Sequence, residues 1–153
     1  MFDVCLPEPP IETAEAAIES GRAASVDGVV AIGGGSNLDI GKFVATVLRH
    51  GGNPRDYFGF DMVPGPIVPM IAIPTTAGTG SEVSHAAVLT DIVAQNKVST
   101  LSRWLRPVVA IVDPALTDSC PPKVTADSGI DALVHAIEAV TNRDYSQMTD
   151  VDP

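Results

Sequence analysis

Gly28-Val29-Val30-Ala31-Ile32-Gly33-Gly34-Gly35-Ser36-Asn37-Leu38-Asp39 is the stretch that decides the fold class. Gly28 to Ile32 is a short apolar run, rich in β-branched residues, that ends in glycines. A run without polar alternation suits a strand covered on both faces, as in a parallel sheet. Past the glycines, Ile40, Phe43, Val44, Val47 and Leu48 recur at helical spacing and form one apolar stripe facing a core. Ser36 stands where an N-cap belongs, and Asp39 stands at the capping-box position, where Glu or Gln is the usual choice. Gly51-Gly52-Asn53-Pro54 ends the helix.

Upstream, 12–24 predicts a helix, because Ile11, Ala14, Ala17 and Ile18 repeat at its period and Pro10 suits its first turn. Downstream, 53–69 is a proline-bearing loop and Met70 to Ile73 is a second apolar strand. A Thr/Gly-rich loop follows over 74–82. The run 83–91 reads as a strand, and 108–112 as another, closed by Asp113-Pro114. Residues 116–122 look like a linker punctuated by Pro121-Pro122. A last helix is expected from Thr125 or Asp127 to about Val140. The tail, 142–153, shows no apolar period and is expected to fray. Strands alternating with helices argue for an α/β layered domain with a mainly parallel sheet. The final helix follows a double proline and reads as the opening of a second domain, so the expected division is 1–122 and 123–153.

Composition bounds the function. The 153 residues suit one domain, or one domain with the start of another. Hydrophobic residues at 45 % and charged residues at 18 % exclude a disordered tail. No apolar run approaches the roughly 20 residues that span a bilayer. Met1 to Pro10 carries two acids and no base, unlike a secretory signal, so a cytoplasmic location is expected. A net charge of −10 repels phosphate backbones and argues against nucleic acid as a partner. It does not exclude a dinucleotide, whose pyrophosphate can be held by backbone N–H groups at a helix N-terminus. Cys5 and Cys120 have neither metal-binding nor redox spacing and are expected to be reduced thiols.

Three segments carry candidate chemistry. In 33–39, glycines between a strand and a helix let the backbone approach a phosphate, and the helix start offers free N–H groups. The G-x-G-x-x-G fingerprint fails because Leu38 occupies its third glycine position. The P-loop pattern fails too: Gly41-Lys42 is present, but Ser36 replaces its first glycine and Phe43 its final hydroxyl residue. Taken alone, the segment is either an anion site or a tight turn. Pro74-Thr75-Thr76-Ala77-Gly78-Thr79-Gly80-Ser81-Glu82 offers hydroxyls and N–H groups after a strand, where α/β sheets place ligands; the bland alternative is a polar surface loop. Asp131 and His135 lie at i and i+4 on the last helix, with Glu138 on roughly the same face. A carboxylate and an imidazole so placed can share a divalent metal, or simply form a solvated pair. His50, in the last turn of a helix, reads as a dipole partner, and His85 has only a weak claim on a substrate.

Together and in this order, these segments resemble the iron-containing (group III) alcohol dehydrogenase family. The matching residues are 29–36 with Asp39 and Lys42, 74–83, Thr90-Asp91 with Lys97, Ala110-Ile111-Val112-Asp113-Pro114, and 129–139 around Asp131 and His135. The resemblance implies a Rossmann-like dinucleotide-binding domain, incomplete here, followed by the start of an all-helical metal-binding domain, with the active site in the cleft between them. Against that family the chain reads as truncated at both ends. The resemblance implies that Gly34, Gly35 and Ser36 hold a pyrophosphate and that Asp39 lies near the nicotinamide. It further implies that Thr75, Thr76 and Thr79 line the nicotinamide and its ribose, and that Lys97 reaches a ribose hydroxyl. Asp131 and His135 would be the first two ligands of a divalent metal, Fe or Zn, and the family's two further histidine ligands lie beyond this chain. The implied reaction is hydride transfer between an alcohol or aldehyde and NAD or NADP. Two alternatives stand beside it: an inactive nucleotide-binding or assembly module, and a metal-independent enzyme resembling maleylacetate reductases, against which Asp131 and His135 argue. A parallel sheet lacking cover on one face would expose apolar surface and favour a homo-oligomer.

Overall fold

The computed structural model describes residues 1–142, so all of the tail expected to fray except Asn142 lies outside the described residues. The first helix, α1, spans Ile11–Ala23 and buries Ile11, Ala14, Ala17 and Ile18, the stripe its spacing predicts. Strand β1, Val29–Gly33, leads through Gly34 into α2, Gly35–His50. The remaining strands are β2 (Gly59–Phe60), β3 (Met70–Pro74), β4 (Ala86–Asp91), β5 (Asn96–Leu101) and β6 (Val109–Ala110). The last helix, α3, runs Pro122–Thr141. It starts earlier than expected because Pro122 sits in its first turn, where a missing N–H is harmless.

Two small sheets flank α2. One has the order β1-β3-β6 and is wholly parallel, with Val29 opposite Met70 and Gly33 opposite Pro74. The other has the order β2-β5-β4: β2 runs parallel to β5, and β4 and β5 form an antiparallel hairpin. The mainly parallel sheet expected from sequence is therefore only half of the arrangement. Strand β5 escapes a sequence reading because its most deeply buried residue is Thr100, whose hydroxyl donates to the Tyr57 carbonyl at 2.8 Å. A polar inward residue disguises the alternation that marks a half-buried strand. The hairpin is closed by Asp91, whose carboxylate accepts from the Val93 and Ala94 N–H groups, both at 3.0 Å.

The stripe on α2 is the centre of the fold. Ile40, Phe43, Val44 and Val47 pack with α1, Ala87 and Leu89, and Leu38 and Ala45 pack on Ala31, Met70 and Ala72. Among the described residues nothing covers the opposite face of the parallel sheet, where Val30, Ile32, Val109 and Ile111 are about half exposed. Helix α3 likewise exposes Ile130, Leu133, Val134 and Ile137 and buries none of its residues.

Candidate functional site

The glycine turn is built for close approach. Gly33 leaves β1 at φ 145°, a conformation that L side chains rarely adopt, and a Cβ there would collide with Asn37. The Asn37 amide in turn donates to the Ile32 carbonyl at 2.9 Å, locking the turn. The N-cap of α2 is Gly34, not Ser36, and no side chain caps the helix. Ser36 lies one residue inside it, and the capping box expected with Asp39 does not form. The Asn37 and Leu38 N–H groups turn back to the Gly34 carbonyl at 3.0 and 3.2 Å, which leaves those of Gly35 and Ser36 to meet an anion.

The Thr/Gly loop returns alongside this turn. The Thr75 N–H donates to the Gly33 carbonyl at 2.9 Å, so both loops leave the same edge of the sheet, as their sequence order suggests. Thr76 packs beside Gly34 and Thr79 beside Gly35, where an added Cβ would meet Thr79 Cγ2 at 2.8 Å.

Asp39 points away from the helix end. Its carboxylate accepts from Ser81 Oγ at 2.6 Å and from the Val88 N–H at 3.0 Å. Lys42, one turn on, is fully buried. Its ammonium donates to Ser81 Oγ at 2.9 Å, Ser84 Oγ at 3.1 Å, the Ser84 carbonyl at 3.2 Å and the Ala86 carbonyl at 2.7 Å. It also stands 4.0 Å from Asp39 Oδ1. The pair thus ties α2 to the end of the Thr/Gly loop and to the start of β4. This network is the part of the site that sequence reasoning missed. Asp39 and Lys42 stood in the family match without this role, and their spacing, an acid and a base at i and i+3 on a helix, more often marks a solvated face.

Burial shifts both groups against their charged forms. It raises the Asp39 carboxyl above its usual range, partly offset by the Ser81 hydroxyl, the Lys42 ammonium and the Val88 amide. It pushes the Lys42 ammonium from 10.5 down to about 8, although Asp39 and Glu82 favour its charge. Between about pH 8 and 10.5 the unfolded chain therefore binds more protons at Lys42, and this contribution to stability rises with pH. Asp39 acts the other way in acid: its contribution is complete below 3.8 and is lost as pH rises through its raised folded value. We expect the thermal unfolding midpoint of the wild type, taken relative to Lys42→Met, to rise with pH across this window, since the opposing effects of the raised Cys5 thiol and Tyr57 hydroxyl are common to both proteins. An identical alkaline profile in both proteins would contradict the assignment.

These elements line one cleft of about 590 Å³. Gly35, Ser36, Asp39 and Thr79 form one wall, and Asp131 and His135 of α3 stand on another. Glu8, Thr90 and Lys97 also line it. Gly34, within the turn, and Thr75 and Thr76, beside it, are not part of the cleft lining. His135 Nδ1 stands 3.8 Å from Asp131 Oδ2, and both side chains are about half exposed. Glu138 does not line the cleft, and among the described residues no three His, Cys, Asp or Glu side chains are grouped to hold a metal. The glycine turn with its uncapped helix fits a pyrophosphate, whereas Asp131 and His135 supply two donors where a metal site takes three or four. His50 Nε2 pairs with the Gly65 carbonyl at 3.1 Å, and His85 is not among the residues lining the cleft. A hollow of about 490 Å³ between α1, α2 and β1 is lined mainly by apolar groups and brings no candidate residues together.

Residues 1–114 match the family model described as iron-containing alcohol dehydrogenase, and the chain belongs to that family. Long-chain-alcohol dehydrogenase 1 of Geobacillus thermodenitrificans is 44 % identical over 148 residues, covering 95 % of this chain and 37 % of the relative. NAD-dependent methanol dehydrogenase of Bacillus methanolicus is 39 % identical over 98 % of this chain and 39 % of its own length. Among solved structures, a 1,3-propanediol oxidoreductase superposes with a TM-score of 0.89 at 36 % identity, over 97 % of this chain and 39 % of that one. Sulfoacetaldehyde reductase from Bifidobacterium kashiwanohense, solved in complex with NAD+, superposes with a TM-score of 0.80 at 41 % identity, over 90 % and 37 %. The chain thus spans well under half the length of these relatives, and its α/β part is their Rossmann-like fold.

Proposed function

We propose that this chain is the cofactor-gripping part of a metal-dependent alcohol dehydrogenase that exchanges a hydride between an alcohol or aldehyde and NAD or NADP. The observation that carries the reading is one cleft lined both by the glycine turn with Thr79 and by Asp131 with His135. Gly34, Gly35 and Ser36 would bind the pyrophosphate through backbone N–H groups. Thr75, Thr76 and Thr79 would line the nicotinamide and its ribose, and Lys97 would meet a ribose hydroxyl. Asp39 would lie toward the nicotinamide end while holding Ser81 and the Val88 amide, which makes it a positioning residue for the Thr/Gly loop. The nicotinamide supplies the hydride chemistry, and these residues bind and orient it. That relatives are named NAD-dependent methanol dehydrogenase and solved with NAD+ supports NAD as the first cofactor to test.

Asp131 and His135 would be two ligands of an Fe or Zn site that further protein completes. The domain division at 122/123 follows the same reading and is supported by α3, which buries none of its residues. The uncovered sheet face favours self-association of the isolated chain. No helix among the described residues is long and apolar enough to cross a membrane. The two unpaired cysteines suit a cytoplasmic location.

The test of the metal half-site compares three proteins after dialysis: this chain, a version lengthened by the helical remainder of a relative, and the lengthened version carrying His135→Ala. The short chain is expected to keep no stoichiometric Fe or Zn and to reduce no NAD with alcohol. Lengthening is expected to raise metal content, and His135→Ala to remove that gain. Stoichiometric metal in the short chain would refute the half-site, and unchanged metal in the His135→Ala protein would refute the ligand assignment.

A further inference from the structure

The segment before α1 crosses the cleft's rim and holds an unusual residue there. Glu8 lies between Pro7 and Pro9 and adopts φ 51°, in the left-handed region that residues other than glycine rarely enter. Backbone strain of this kind persists only where the surroundings impose it. The surroundings here are β4: the Thr90 N–H donates to the Pro9 carbonyl at 2.9 Å, and Pro10 forms a parallel bridge with Thr90. Thr90 lies directly opposite Lys97 in the β4–β5 ladder. Docking residues 9 and 10 on Thr90 therefore brings Glu8 to Lys97, and Lys97 Nζ donates to Glu8 Oε1 at 2.8 Å. Both side chains are more than half exposed and both line the cleft.

We propose that Glu8 is a specificity-determining residue of the cleft, a reading that rests on the proposed cofactor role of the site. Its carboxylate neutralises the Lys97 ammonium, so the rim offers a paired acceptor and donor without net charge. Such a pair suits a ribose diol, which gives a hydrogen bond to the carboxylate and takes one from the ammonium. It disfavours a phosphate, which Lys97 alone would attract and Glu8 repels. The strained backbone at residue 8 holds the acceptor over the cleft.

The experiment measures equilibrium binding of NADH and, separately, of inorganic pyrophosphate to the wild type, Glu8→Gln, Lys97→Met and the double variant, at low and high salt. Glu8→Gln is isosteric at an exposed position, and its melting curve checks that the fold persists. We expect Glu8→Gln to tighten pyrophosphate roughly threefold or more at low salt, the scale of an exposed charge interaction. The gain should vanish in the double variant and shrink in high salt. NADH affinity should fall in Glu8→Gln, because an ionised acceptor for the diol is lost. Unchanged pyrophosphate and NADH affinities in Glu8→Gln, with NADH bound by the wild type, would overturn the Glu8 proposal and leave the cofactor reading intact. Wild-type protein that binds pyrophosphate and not NADH would overturn the Glu8 proposal, and wild-type protein that binds neither would overturn the cofactor reading as well.

Discussion

Lys42→Met is expected to lower the unfolding free energy by about 3 kcal/mol, the scale of breaking one partner out of a buried ion pair. Met fills much of the lysine's volume, so the loss is not a cavity effect. The ammonium serves Ser81 Oγ, Ser84 Oγ and the Ser84 and Ala86 carbonyls, and it faces Asp39. Without it, a mostly buried carboxylate loses its cation and two backbone carbonyls lose a donor. Each unsatisfied buried group costs about 1–3 kcal/mol. Because the same ammonium ties α2 to the loop that carries Thr79, NADH affinity should fall as well. Lys42→Met combined with Asp39→Asn removes the stranded charge and should recover part of the stability. Urea midpoints read the outcome. A shift smaller than that of an ordinary surface substitution, within about 0.5 kcal/mol, would show that Lys42 is not the tie between these elements.

Gly35→Val should abolish measurable NADH binding while costing about 1–3 kcal/mol of stability through overpacking. A Cβ at residue 35 would stand 2.8 Å from Thr79 Cγ2 and 2.9 Å from its hydroxyl, closer than real contacts allow. Thr79 must move, and with it goes the wall facing the helix N-terminus. The added methyl groups also occupy the space where backbone N–H groups would meet phosphate oxygens. Gly34→Ala, in the same turn, should weaken binding far less. Gly34 has φ −74°, open to any L residue, and an added Cβ stays 3.4 Å from Thr76 Oγ1. Isothermal calorimetry of NADH into both variants separates the cases. Wild-type affinity in Gly35→Val would remove the pyrophosphate from the glycine turn.

The parallel half of the fold was legible because its signals are local. Val29 to Ile32 and Met70 to Ile73 are apolar runs short enough for strands, and the stripe from Ile40 to Leu48 has one period. The glycines after the first of these runs form the strand-to-helix turn that the sequence suggests, with Gly33 at φ 145°. The hairpin of β4 and β5 was only half read, since Thr100 faces inward and hides the alternation. The N-cap was misplaced by two residues: Gly34 starts the helix, and Asp39 is drawn to Ser81 and Val88 rather than to the helix end.

Sequence alone determined the α/β class, the two glycine-bearing loops and the pairing of Asp131 with His135 on one helical face. Those follow from spacing along a single element, which the backbone periods 3.6 and 2 make readable. Only the tertiary structure decided that Lys42 is a buried tie and that Glu8 meets Lys97 across 89 positions of chain. Only it decided that Asp131 and His135 line the same cleft as Gly35 and Thr79. Such contacts depend on how the ladder register and helix packing bring distant segments together. No local propensity encodes which buried lysine finds four acceptors or which rim glutamate finds its ammonium.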